Sequence, residues 1–99
     1  AIIMSRDSRF STLPTCAFSG RLGRSIATAY VQTANDESAP RPAPYPVQRG
    51  LTQAMREAGA RSNDIDRMQA WAGQAARLAS TEPAADYVRR IWAEAQSLL

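Results

Sequence analysis

Ninety-nine residues, 44% apolar and 21% charged, suit one domain or part of one and exclude a wholly disordered chain. All twelve basic residues are arginine, set among nine acids for a net charge of +3. They are scattered rather than gathered on one face, which argues against a nucleic-acid partner. Histidine is absent, which removes the commonest general base and metal ligand. A single cysteine, Cys16, permits neither an intrachain disulfide nor a zinc cluster, and reads as a small buried apolar residue in a reduced, cytoplasmic setting.

Residues 1–11, AIIMSRDSRFS, turn quickly from apolar to polar and read as a short entering segment with Arg6, Asp7 and Arg9 in solvent. The opening AIIM is too short for a signal peptide core, and no run reaches the ~20 apolar residues that span a bilayer, so no membrane partner is expected. The chain opens on alanine, as processing or a longer upstream sequence would leave it.

Residues 12–18, TLPTCAF, favour an extended conformation, with Pro14 confining any strand to an edge. Ser19-Gly20 marks a turn, and residues 1–20 form the first segment. Over 21–34, RLGRSIATAYVQTA, Leu22, Ile26, Ala29 and Tyr30 recur at helical spacing, with Ser19 as the N-cap. Gly23 and the β-branched Ile26, Thr28 and Val31 weaken that helix. Residues 35–48 are a linker in which Pro40, Pro42, Pro44 and Pro46 alternate with other residues. Prolines spaced by two do not make a PxxP ligand, and a semi-rigid strap across a surface is the better reading.

Two or three helices are expected within 49–99. The first covers 51–60, with Leu51, Met55 and Ala58 on one stripe and Gly59 near its end. The second runs from Asn63, with Asp66 three residues on, to Ala79, through Ile65, Met68, Ala72 and Ala76. The third runs from Glu82 or Pro83 to Leu98, capped by Thr81, with Val88, Ile91, Ala95 and Leu98 on its inner face and Trp92 beside them. Gly73 would lie inside the second helix at a cost of about 1 kcal/mol, so a close partner is needed there, either another helix or a flat ligand. The fold class is mainly α: three to four helices with one short N-terminal strand.

Chemistry is sparse. The neighbouring carboxylates Asp36/Glu37 and Asp64/Asp66 sit in loop or cap positions, and the arginine–glycine stretch 20–24 lacks the glycines and lysine of a phosphate loop. Ser19, Gly20 and Arg21 could hold an anion at a helix N-terminus with help from Arg24, or could simply connect two elements.

The ordered words AFSGR (17–21), PYPVQ (44–48), WAGQAARLA (71–79) and EPAADYVRRIW (82–92) resemble the C-terminal third of the nitronate monooxygenases, once called 2-nitropropane dioxygenases. The resemblance implies a fragment of an FMN-binding TIM barrel with an added helical region. It also implies oxidation of an alkyl nitronate by oxygen to a carbonyl compound and nitrite, with the barrel, the FMN grip and the catalytic histidine supplied by absent sequence. No catalytic residue falls within this chain on that reading. Gly73, Gln74 and Tyr45 stand where the family faces cofactor and substrate, and Ser19, Gly20 and Arg21 form a hinge between barrel and helices. Leu22 and Gly23 depart from the proline and alanine that often follow the family's SGR.

A free-standing helical module is the competing expectation. It requires a closed three-helix core that buries Trp71 and Trp92. The fragment instead requires an apolar face left uncovered.

Overall fold

The computed structural model describes residues 11–99. The entering segment with Arg6, Asp7 and Arg9 therefore lies outside the described residues, apart from Ser11.

Two antiparallel strands replace the single strand expected. β1 (Thr12–Thr15) pairs with β2 (Gly23–Ile26), with Thr12 opposite Ile26 and Thr15 opposite Gly23. The helical spacing over 21–34 thus describes a helix only in its last part. Gly23 and Ile26 suit a strand better than a helix, and β2 supplies the ladder partners of β1. α1 (Ala29–Ala34) starts after β2, capped by Thr28 rather than Ser19: the Thr28 hydroxyl accepts from the Val31 N–H, and Asp66 Oδ1 accepts from the Ala29 N–H at 2.9 Å.

α2 (Val47–Arg61) starts four residues before the apolar stripe that marked it. Its end is a Schellman motif. Asn63 takes a φ of 54°, the Asn63 N–H donates to Ala60 O, and the Asp64 N–H donates to Gly59 O at 2.9 Å. Asn63 therefore ends this helix instead of starting the next. Gly59, expected as a terminator, lies inside α2, where its missing side chain admits the Arg67 backbone: a Cβ there would stand 3.0 Å from the Arg67 carbonyl carbon.

No α-helix forms over 63–79. Two 3₁₀ turns, Ile65–Arg67 and Ala76–Leu78, flank an extended piece that lies along the free edge of β2. The Ile26 N–H donates to Ala70 O at 2.9 Å and the Ala72 N–H to Arg24 O at 3.0 Å, while Ser25 Oγ also donates to Ala70 O. A helix over these residues would leave the β2 edge groups inside the molecule without partners, a cost that outweighs helical propensity. Gly73 is consequently not in a helix, and the penalty assigned to it does not arise.

The core lies where these pieces meet. Phe18, Val31 and Ser25 are fully buried, with Ala17, Ile26, Ala27 and Ala70 around them. Phe18 packs tilted on Tyr30 (ring centroids 5.2 Å apart) and edge-on to Trp71 (5.5 Å). No buried side-chain polar atom among the described residues lacks a hydrogen bond.

α3 (Ala84–Ser97) stands apart from this core. It forms for local reasons: several alanines, and Arg90 held between Glu82 and Glu94. Thr81 does not cap it; Pro83 occupies the N-cap position. None of its residues is buried, and Val88 and Trp92 are 64% and 63% exposed. With Trp71 also 46% exposed, the closed three-helix core of a free-standing module does not form.

The Arg90 hydrogen bond holds the Glu82 carboxyl below its ordinary 4.5. A lowered carboxylate stabilises above its unfolded value and loses that effect as pH falls through the folded one. Circular dichroism at 222 nm should thus stay constant from neutrality down to the ordinary glutamate range and fall beneath it. Glu82→Gln should flatten that decline, and added salt should shrink it.

Candidate functional site

The turn between the strands, residues 16–22, is gripped from three sides. Gly20 donates its N–H to Cys16 O at 2.9 Å and takes a φ of 90°, a conformation that favours glycine. The strap passes directly beneath it: a methyl group on Gly20 would lie 2.5 Å from both Ala43 O and Tyr45 N, and 2.8 Å from the Pro44 carbonyl carbon. Tyr30 Oη from α1 and Gln48 Nε2 from α2 both donate to Ala17 O at 2.8 Å, and Thr52 Oγ1 donates to Phe18 O at 2.7 Å. Burial pushes the Tyr30 phenol up, with the Gln48 hydrogen bond opposing it.

Gln48 explains the last letter of PYPVQ. Its amide nitrogen holds the turn while its amide oxygen accepts from the Ala43 N–H at 3.0 Å, so one side chain ties strap and turn together.

Three of the expected site residues meet around the strap. Gly20 touches its backbone, the Arg21 guanidinium carbon lies 4.0 Å from the centre of the Tyr45 ring, and Ser19 shares an open hollow of about 430 Å³ with Tyr45, Arg49, Gln69 and Trp71. The hollow owes its far wall to the β2 edge pairing, which brings residues 69–71 alongside. Trp71 rests over Gly23, whose Cβ would stand 2.9 Å from the indole Cζ3. The Leu22-Gly23 departure noted in the sequence therefore has a structural use: glycine makes room for the tryptophan.

The turn does not cradle an anion at a helix N-terminus, because no helix starts there. Arg24 is committed elsewhere, donating to Thr12 O and Thr12 Oγ1 at 3.2 Å. The Arg21 N–H donates to the Ser19 hydroxyl at 3.2 Å, and that hydroxyl donates to Arg21 O at 3.4 Å.

Gly73 and Gln74 follow Trp71 but do not line the hollow. Both are exposed, and no atom lies within 4 Å of a Cβ built on Gly73. Arg49 and Gln69 were not anticipated; Arg49 follows PYPVQ directly, and the approach of Gln69 depends on a strand-like pairing that its own neighbourhood does not signal. Among the described residues no group of His, Cys, Asp and Glu could hold a metal, and no helix is long and apolar enough to cross a membrane.

Comparison with known proteins fits this layout. A model of the nitronate monooxygenase family matches residues 5–94. A probable nitronate monooxygenase of Staphylococcus aureus strain MSSA476 is 37% identical over 91 residues, covering 92% of this chain and 25% of that protein. Its counterpart in strain Newman is 38% identical over 84 residues, covering 85% and 23%. A crystal structure of nitroalkane oxidase from Streptomyces ansochromogenes superposes with a TM-score of 0.77 at 32% identity, over 92% of this chain and 25% of that one. The chain thus spans about a quarter of the length of the relatives it matches.

Gly20→Ala should lower stability in urea denaturation by about 3 kcal/mol, combining left-handed backbone strain with overpacking against the strap. Gly50→Ala, in α2 with nothing within 4 Å of its Cβ, should instead raise it by about 0.5–1 kcal/mol. Equal effects at the two positions would contradict the close approach of turn and strap.

Proposed function

This chain belongs to the nitronate monooxygenase family, and from that premise we propose that it is the C-terminal helical region of an FMN-dependent barrel oxidoreductase. The whole enzyme would convert an alkyl nitronate and oxygen into a carbonyl compound and nitrite. The 99 residues alone would be inactive, with the barrel as the partner that α3 lacks.

The observation that carries this reading is the uncovered apolar side of α3. Tyr87, Val88, Ile91 and Trp92 lie in one stretch of helix, every one of them exposed. At about 25 cal/mol per Å² of apolar surface, such a stretch gains several kcal/mol once covered. Relatives about four times as long have the sequence to cover it.

The residues present fit one wall of a flavin site. Open space around Gly73 admits a flat ring system, the exposed Gln74 amide offers a donor and an acceptor, and Tyr45 stands on the turn side, its ring held by Arg21. The described residues contain no backbone cradle for the cofactor's phosphate, which this reading assigns to the barrel. Bound flavin would supply the electron-accepting and oxygen-reacting chemistry. The chain's own part is to exclude water, orient the substrate and set the angle between strap and helices. In this role Ser19, Gly20 and Arg21 act as the hinge, stiffened by the strap.

A chimera tests the proposal: the S. aureus relative with its matching quarter replaced by this chain. It should purify yellow, hold FMN and consume oxygen on addition of an alkyl nitronate, whereas the 99-residue chain alone should do none of these. Trp92→Asp in the chimera should release flavin or reduce oxygen uptake by at least tenfold, about the effect of burying an unpaired charge. A chimera that is folded by circular dichroism yet holds no flavin, or flavin-dependent turnover by the isolated chain, would contradict the assignment.

A further inference from the structure

Arg56 stands behind the hollow beside the strap rather than in it, yet it touches the residues that form the wall. Positions 49, 52 and 56 share one face of α2, and a helical side chain leans toward the N-terminus, so Arg56 reaches back along that face. Its Nη2 donates to Arg49 O at 3.1 Å and its Nε to Thr52 Oγ1 at 3.3 Å, while Nη1 crosses to the edge added to β2 and donates to Gln69 Oε1 at 3.0 Å. All three acceptors are uncharged, and Arg56 is half-buried among them.

Each contact fixes something further. With its oxygen taken, the Gln69 amide keeps Nε2 as its free end, and half a turn of the amide would break the bond. The Thr52 oxygen accepts from Arg56 and sends its own hydrogen to Phe18 O at 2.7 Å, which holds the turn that carries Ser19. Arg49 is held through its backbone. Ser19, Arg49 and Gln69 on the wall are thus referred to one guanidinium outside it. A fork with separate nitrogens serves three acceptors at once, which the single nitrogen of a lysine cannot span.

We propose that Arg56 is a positioning residue for the reaction, acting through the Gln69 amide. This role rests on the reading that Tyr45 faces cofactor and substrate, because Gln69 lines the hollow that Tyr45 shares. Arg56 itself touches neither; it decides which end of the Gln69 amide is presented to them.

Steady-state kinetics of the S. aureus chimera with an alkyl nitronate tests this. Arg56→Gln should raise KM by about fivefold or more, the scale of one misdirected hydrogen bond, while kcat and flavin content change by less than about twofold. Arg56→Lys should raise it as well, and Arg61→Gln, exposed at the end of the same helix, should leave it unchanged. Gln69→Leu should match Arg56→Gln, and the double variant should be no worse than either single one, because both remove the same interaction. Should Arg56→Gln fail to fold by circular dichroism, Arg56→Lys with and without Gln69→Leu carries the same comparison. An Arg56 with only a structural role would lower the melting temperature and leave KM alone. An unchanged KM in the folded, flavin-loaded variants, additive losses in the double variant, or full activity with lysine would each overturn the role of Arg56 while leaving the functional reading intact. A parent chimera that folds without flavin would defeat that reading and this role with it.

Discussion

Two backbones that nearly touch organise this molecule. At Gly20 the turn between the strands crosses residues 43–45 of the strap at a distance that leaves no room for a side chain. Carbonyls 17 and 18, which the turn exposes, must then find donors, and they take them from Tyr30, Gln48 and Thr52 on two different helices. α1, α2 and the strap are thereby referred to one short turn. Phe18, carried on the same turn, fills the centre of the core, so local hydrogen bonding and packing specify the same arrangement.

The second organising contact is the addition of residues 70–72 to the edge of β2. It covers an open strand edge, puts Trp71 against Phe18 and Gly23, and carries Gln69 to the strap. The hollow exists because both contacts occur. The turn and strap provide Ser19 and Tyr45, the first turn of α2 provides Arg49, and the added edge provides Gln69 and Trp71.

Local features were legible in the sequence, and long-range ones were not. β1, the turn at Ser19-Gly20, the extended strap and α3 all follow from residues near one another: Pro14, the alternating prolines, and the alanines and ion pairs of 82–97. The helix expected over 63–79 fails because its apolar spacing is also what a segment needs when it lies against a core while pairing with a distant strand. Only Ser25 and Ile26, some 45 positions away, reveal which partner the Ala70 carbonyl takes. Asn63 misleads for a similar reason: a residue that can cap a helix start can also adopt the left-handed conformation that ends one. Of the expected site residues, those in the turn and Tyr45 come together, while Gly73 and Gln74 are exposed, with open space where a Gly73 side chain would stand. The words that resemble the nitronate monooxygenases therefore fall into two sets, one explained by contacts within this chain and one, at Gly73-Gln74 and along α3, exposed.

That division predicts an uneven distribution of stability. Where carbonyls, rings and strand edges are shared between elements, opening requires many contacts to break together. α3 has only its own hydrogen bonds and surface ion pairs, and a helix of 14 residues without packing is marginal in water. Hydrogen exchange of the isolated chain reads this directly. The amides of Ile26, Val31 and Ala72 should be strongly protected, and those of α3 should exchange nearly as fast as an unstructured peptide. Protection of α3 equal to that of the β2 edge would mean that its apolar face is already covered within these 99 residues, contradicting the account of a region built to lie against a larger body.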